Sequence, residues 1–253
     1  MKLKVLGNSG PEFDSHNMPA FLIDGCLLLD AGTIGWAKKE FEKSKIPNIL
    51  ITHSHLDHIK GIPFLADSLY MKHKGLSVTV ISIPSVLQGL KNNLFNNVLW
   101  PDFTRIPDRK KPVLKLKKIT AGKRFQVFKH TVIAYGVNHS VPAVGYVIED
   151  VRGKRILYTG DTGPTDLIWK TTGRIDCVIM EVSFPNKMEQ FAIRTGHLTP
   201  RLVAEELQKI AWQPGKILIN PQKPLYLKQI NREIKSLKMK NVTIVKDGDE
   251  YEV

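Results

Sequence analysis

The chain has 253 residues, and its 37 lysines and arginines outnumber 24 acidic residues, for a formal charge of +13 at pH 7. That length can bury a substantial core, and the ordinary 42% hydrophobic content without low-complexity tracts excludes a disordered chain. No apolar run reaches the ~18 residues of a membrane span, and the basic excess suits an anionic partner.

The first segment, Lys2 to Leu6, reads as a strand. Lys4 and Gly7 interrupt it too early for the apolar core of a signal peptide, so a cytoplasmic protein without membrane contact is expected. Ala20–Ile23 and Cys26–Leu29 flank Asp24-Gly25 and read as a hairpin. Trp36–Lys43 reads as a helix, and Asn48–Ile51 as a short apolar strand that stops at Thr52. Val78–Ile81 is a further strand, and Pro84 starts a helix toward Phe95. Three prolines between Pro101 and Pro112 mark an irregular connection.

Strands then follow at Val113–Lys117, Phe125–Phe128, Val132–Val137, Val144–Ile148, Arg155–Tyr158, Asp176–Val182 and Lys216–Ile219. Arg201–Ile210 has helical spacing, with Thr199 placed to cap it and Pro200 at its first position. Leu225–Leu237 is amphipathic, with Tyr226, Ile230, Ile234 and Leu237 near one face. No repeat and no linker divides the chain, so residues 1–253 are expected to form one domain of two helix-covered sheets. Cys26 and Cys177 each sit in an apolar run and read as reduced core cysteines rather than zinc ligands. The basic residues are spread along the chain in short clusters such as Arg109-Lys110-Lys111, and they spell no nucleic-acid motif.

The strongest chemical signal is Thr52-His53-Ser54-His55-Leu56-Asp57-His58, directly after an apolar strand. Imidazole and carboxylate hold zinc, manganese or iron. A loop at a strand end can turn His53 and His55 toward one ion while Asp57 and His58 reach a second.

This HxHxDH run resembles the signature of the metallo-β-lactamase superfamily, whose further motifs appear in order at Val137-Asn138-His139-Ser140 and Thr159-Gly160-Asp161-Thr162. The resemblance implies an α/β, four-layer αββα sandwich. It also implies two divalent ions, zinc first and manganese or iron as alternatives. His53, His55 and His139 would hold the first, Asp57 and His58 the second, and Asp161 would bridge them. Two such cations activate water and stabilise phosphoryl charge.

Three segments narrow the substrate. His55-Leu56-Asp57-His58-Ile59-Lys60-Gly61 is similar to the class II cyclic-nucleotide phosphodiesterase signature and departs from it at Pro63-Phe64. Phe95-Asn96 through Trp100-Pro101 is similar to a stretch of the same family. Gly196-His197-Leu198-Thr199 resembles both that family and ribonuclease Z, where this histidine serves phosphodiester cleavage. The implied activity is hydrolysis of a 3′,5′-cyclic nucleotide, cyclic AMP or GMP, to the 5′-monophosphate by metal-bound hydroxide. Asp57 and His197 would be the catalytic residues, and His197 would also contact the substrate phosphate. A ribonuclease Z-like nuclease acting on RNA is the alternative, suggested by Asn138 to Tyr146 and by the basic charge. A metal or nucleotide binder without activity is a third reading, and a homodimer is left open.

One position departs from the superfamily pattern. Ile219-Asn220-Pro221-Gln222-Lys223-Pro224 stands where Ile-Thr-His-x-Lys-Pro is expected, so Pro221 replaces the histidine that closes the second metal site. Asn220 or Gln222 could supply an amide oxygen or hold a water instead. His16 lies in a polar loop that can border the site in this fold.

Overall fold

Alternating apolar residues and tight turns fold the chain into stacked sheets in a computed structural model that describes residues 1–12, 16–35, 48–72, 75–221 and 223–253. The first sheet contains β1 (Lys2–Gly7), β2 (Ala20–Ile23), β3 (Leu27–Leu29), β4 (Asn48–Leu50), β5 (Val78–Ser82), β6 (Leu114–Lys118) and β14 (Glu250–Glu252), in the order β14-β1-β2-β3-β4-β5-β6. The second contains β7 (Arg124–Val127), β8 (His130–Gly136), β9 (Val144–Glu149), β10 (Arg155–Tyr158), β11 (Cys177–Val182), β12 (Lys216–Pro221) and β13 (Val242–Ile244), in the order β13-β12-β11-β10-β9-β8-β7. The hairpin expected at Asp24-Gly25 forms with a three-residue connection: Ile23 pairs with Leu27, so Cys26 joins the turn instead of the strand, and Asp24 and Gly25 have positive φ (47° and 68°).

Each sheet has a parallel portion. β3 to β6 are parallel neighbours in the first sheet, and β10 to β13 in the second. Their inner faces meet in one apolar layer, where Phe21, Leu29, Leu50 and Ile81 pack with Tyr146, Tyr158, Ile179 and Leu218.

Helices cover both outer faces. α1 (Leu56–Ile59), α2 (Gly61–Lys72) and α3 (Pro84–Gly89) lie over the first sheet, and Ile62, Ala66, Val86 and Leu87 pack on Ile49 and Val80. α4 (Leu167–Thr171), α5 (Glu189–Thr195), α6 (Pro200–Gln208) and α7 (Leu227–Ser236) accompany the second sheet. There Trp169, Val203, Ile230 and Ile234 pack on Leu157, Val178 and Ile219. Full burial of an isoleucine contributes about 1.5–3 kcal/mol, so Ile230 and Ile234 suffice to dock the otherwise polar α7. The four layers are the expected αββα sandwich.

Several expectations are refined. The helix from Pro84 changes at Leu90 to a wider π turn that reaches Leu94. The Leu225–Leu237 segment opens as a 3-10 turn over Pro224–Tyr226 before α7 begins. Thr199 caps α6 by accepting from the Leu202 amide, with Pro200 at the first position. Cys177 is buried, whereas Cys26 is only partly so. The Trp36–Lys43 helix falls outside the described residues. Among the described residues, no helix is long and apolar enough to cross a membrane.

Candidate metal centre

Each functional side chain leaves a strand at the same end of the sandwich. Asp30 follows β3, His53 follows β4, His139 follows β8 and Asp161 follows β10. α1 then carries Asp57 and His58 back over the strand ends. Two glycines permit the close approach of these loops. Gly160 has φ 61°, and a Cβ there would stand 2.7 Å from Thr52 Cγ2. Gly196 ends α5 with φ 72°, and a Cβ would lie 2.8 Å from His139 Cα. Its carbonyl accepts from His139 Nδ1 at 2.8 Å, so the nitrogen left over is Nε2.

The ligand atoms of His53, His55 and His139 lie within 4.8 Å of one another, and so do those of His53, His58 and Asp161. His53 thus belongs to both groups. His139 Nε2 is 3.1 Å from His55 Nδ1, and His58 Nε2 is 3.3 Å from Asp161 Oδ1. Asp57 is more peripheral, with Oδ2 3.8 Å from His58 Nε2. Among the described residues, the Nε2 atoms of His53 and His58 are buried with no hydrogen bond of good geometry, and carboxylate oxygens of Asp161 stand 4.0 and 3.3 Å from them. Orphaned imidazole nitrogens converging on carboxylates are expensive unless a cation joins them, and the donor set fits divalent ions.

The surrounding charges act on these groups in different directions. Burial holds His53 well below the usual histidine range, reinforced by His58, so its ring is neutral. Burial also lowers His55, with His139 adding to the effect. At His58, Asp161 and Asp30 overcome the burial penalty and raise the ring well above its usual value. Burial alone would raise Asp161, yet His58 and His53 hold it well below the carboxylate range.

His197 stands beside this cluster at the loop before α6. Its Nδ1 lies 2.8 Å from Glu181 Oε1, 3.1 Å from Ser183 Oγ and 3.9 Å from Asp161 Oδ2, and its ring packs edge-on against His139. Burial would lower His197, but the Glu181 carboxylate outweighs it and raises the ring. Burial raises Glu181 in turn.

Two partners escaped the sequence reading. Asp30 is fully buried and accepts from Thr52 N, Thr52 Oγ1 and Tyr158 Oη at 2.8 Å each, as well as from His58 Nδ1 at 2.7 Å. Glu181 is a buried acid closing the apolar run Val178-Ile179-Met180. A charge at the end of an apolar strand was the available signal for both.

Pro221 ends β12, paired with Val182 of β11, and offers no ligand atom. Its neighbour Asn220 is buried, and both polar atoms of its side chain lack hydrogen-bond partners among the described residues. Asn220 pairs with Glu181 in register and shares the inward parity of Leu218. Gln222 lies outside the described residues. His16 is not in the cluster; it lines a separate cavity with Asp247.

Stacked sheets with imidazoles and carboxylates gathered at the strand ends are the architecture of the metallo-β-lactamase fold. The family described as the Beta-lactamase superfamily domain matches residues 27–219, and the chain belongs to that superfamily. The chain is 27% identical over 202 residues to the 3′,5′-cyclic-nucleotide phosphodiesterase 1 of Saccharomyces cerevisiae, a match covering 68% of this chain and 53% of that protein. It thus spans about half the length of this relative. It is 28% identical over 248 residues to the ribonuclease Z of Pyrobaculum calidifontis, covering 87% of this chain and 85% of that one. Unliganded yeast PDE1 superposes with a TM-score of 0.81 at 18% identity, covering 98% of both chains.

Proposed function

We propose that the chain is a metal-dependent phosphodiesterase that hydrolyses 3′,5′-cyclic nucleotides to 5′-monophosphates. The carrying observation is His197, locked by Glu181 at 2.8 Å beside the double cluster. His53, His55 and His139 would hold one cation, Asp57 and His58 the second, with Asp161 between them. When bound, the pair of ions activates water and stabilises charge on the phosphoryl oxygens.

The chain's own residues supply the rest. Nδ1 of His197 is taken by Glu181, which leaves Nε2 to face a phosphate and give a proton to the departing 3′-oxygen. Water's oxygen bonds to phosphorus as the bond to the 3′-oxygen breaks. Asp30 fixes the His58 ring through Nδ1 and presents Nε2 to the cluster. The inward, unpartnered amide of Asn220 would offer an oxygen or hold a water where the histidine is replaced.

A second reading, an RNA-processing nuclease, draws on the similarity to ribonuclease Z across 85% of that protein's length. Parallel assays with cyclic nucleotides and a tRNA precursor, each with zinc or manganese, separate the two. Conversion of a cyclic nucleotide to its 5′-monophosphate supports the first reading. Trimming of the precursor alone supports the second.

A further inference from the structure

Residues 101–130 hold ten lysines and arginines against two aspartates, a net +8 of the chain's +13. All ten basic side chains belong to exposed residues. Along the chain they form short clusters, but the fold gathers most of them on one edge of the sandwich. β6 is the last strand of the first sheet and β7 the last of the second, and only residues 119–123 separate them. The two edges touch. Lys117 Nζ lies 5.7 Å from the centre of the Phe125 ring and 3.5 Å from the Gln126 carbonyl oxygen.

The stripe has a direction. Arg109-Lys110-Lys111 precedes β6, Lys115 and Lys117 lie along it, and Lys118, Lys123 and Arg124 flank the turn into β7. β6 runs parallel to β5 with Lys118 opposite Ser82, and Ser82 Oγ donates to the Ile51 carbonyl at 2.6 Å. In the turn, the Gly122 amide donates to Ala134 of β8, the strand that leads to His139. The stripe therefore reaches the metal end of the sandwich. Two strand spacings, roughly 10 Å, separate it there from the end of β4 that carries His53.

Most of this charge is uncompensated. Arg105 pairs with Asp102, and Lys129 with Asp24. The Arg109-Lys110-Lys111 run, Lys115, Lys118, Lys123 and Arg124 make no ion pair among the described residues. Lysines on an edge strand also block edge-to-edge pairing, but that role needs no uncompensated stripe. On the opposite edge of the same sheet β14 carries Glu250 and Glu252, and Glu250 pairs with Lys2 and Lys4 of β1. Edge protection also gives no reason for Arg109-Lys110-Lys111, which lies before the strand. Like charges this dense repel one another, and a bound polyanion relieves the repulsion.

We propose that this edge binds the phosphodiester backbone of a nucleic acid, an interaction independent of the cyclic-nucleotide reading because it requires binding and no cleavage. The cations are laid out in a line, as backbone phosphates are. β6 alone spans about 13 Å at ~3.3 Å per residue, the length of about four phosphates along one strand of a duplex. A lipid surface fits less well. Faces that bind membranes insert apolar side chains beside their lysines, and no large hydrophobic residue is exposed between Arg109 and Val127.

Fluorescence anisotropy on the metal-loaded full chain tests this, with labelled oligo-U, oligo-dT and a short DNA duplex shown by gel to stay intact. Affinity for the single strands should fall with salt, with a log–log slope of about −3.5 to −5, as about five to seven phosphate contacts give at ~0.7 each. The triple variant Lys110→Glu, Lys118→Glu, Lys123→Glu should bind at least about tenfold more weakly, with the slope flattened by about two. A control with the same change of charge, Lys228→Glu, Lys235→Glu, Lys240→Glu, alters exposed residues in and after α7. It should stay within about twofold of the natural protein if the edge, rather than net charge, holds the strand. Should the edge triple misfold, Lys118→Gln and Lys123→Gln decide singly, each flattening the slope by about 0.7. Equal losses in the two triples, or single variants without effect, would overturn the assignment. So would natural protein that binds none of the oligonucleotides, whether or not it binds phosphatidylserine vesicles.

Discussion

The Asp30 carboxylate meets Nδ1 of His58 at 2.7 Å, with neither side chain exposed to solvent. The same carboxylate collects Thr52 and Tyr158 from the two sheets. One buried acid therefore ties the strand end that carries His53 to the second sheet and orients a cluster histidine. Such outer partners set which imidazole nitrogen is offered to a metal.

Asp30→Ala would strand four donors in the interior. The expected loss of stability is about 3–5 kcal/mol, read by urea denaturation. Asp30→Asn preserves more of the fold, yet should weaken metal binding by about 10–100-fold, measured by zinc titration. Unchanged metal affinity in the asparagine variant would show that His58 needs no orienting acid.

His197→Ala should lower turnover by about 10²–10⁴-fold with metal content intact by elemental analysis. Glu181→Gln should move turnover in the same direction, because it removes the charge that raises His197. Loss of metal in the His197 variant would make that residue a ligand instead of an acid.

The second cation should bind more weakly than the first, since Pro221 withholds an imidazole and affinity follows ligand number and type. Calorimetric titration should resolve one tight and one weaker event, and Pro221→His should tighten the latter. Two equally tight sites in the natural protein would mean that another group, such as the Asn220 amide, fully replaces the histidine.

Glu206 provides a structural contrast. Its buried carboxylate accepts from Trp169 Nε1 at 2.6 Å and from the Thr165 amide at 3.0 Å, and it pairs with Lys209 at 2.7 Å. Glu206→Ala should destabilise the protein by about 3–5 kcal/mol while leaving metal stoichiometry unchanged. A thermal melt with metal analysis on the same sample checks both halves.

Much of this architecture was readable from local pattern. The apolar runs from Val144 to Ile148 and from Asp176 to Val182 form buried strands because little else satisfies so dense an apolar stretch. Thr199-Pro200 marked a helix start through capping chemistry alone. The helices over Leu56–Lys72 were hidden, since α2 has apolar residues scattered around it and no acidic first turn. β14 was hidden too, as Glu250–Glu252 is a polar edge that exists only by pairing with β1. In the site, closely spaced histidines announced themselves, whereas Asp30 and Glu181 act through partners up to 128 residues away in the chain. Single acids of that kind carry no local periodicity.

The most direct test is product analysis by phosphorus NMR, with pure protein, cyclic GMP or cyclic AMP, and added zinc or manganese. The account predicts a 5′-monophosphate that forms only when metal is supplied and that disappears with Asp161→Ala. Formation of a 3′-monophosphate, or no conversion of either nucleotide by metal-loaded protein, would contradict it.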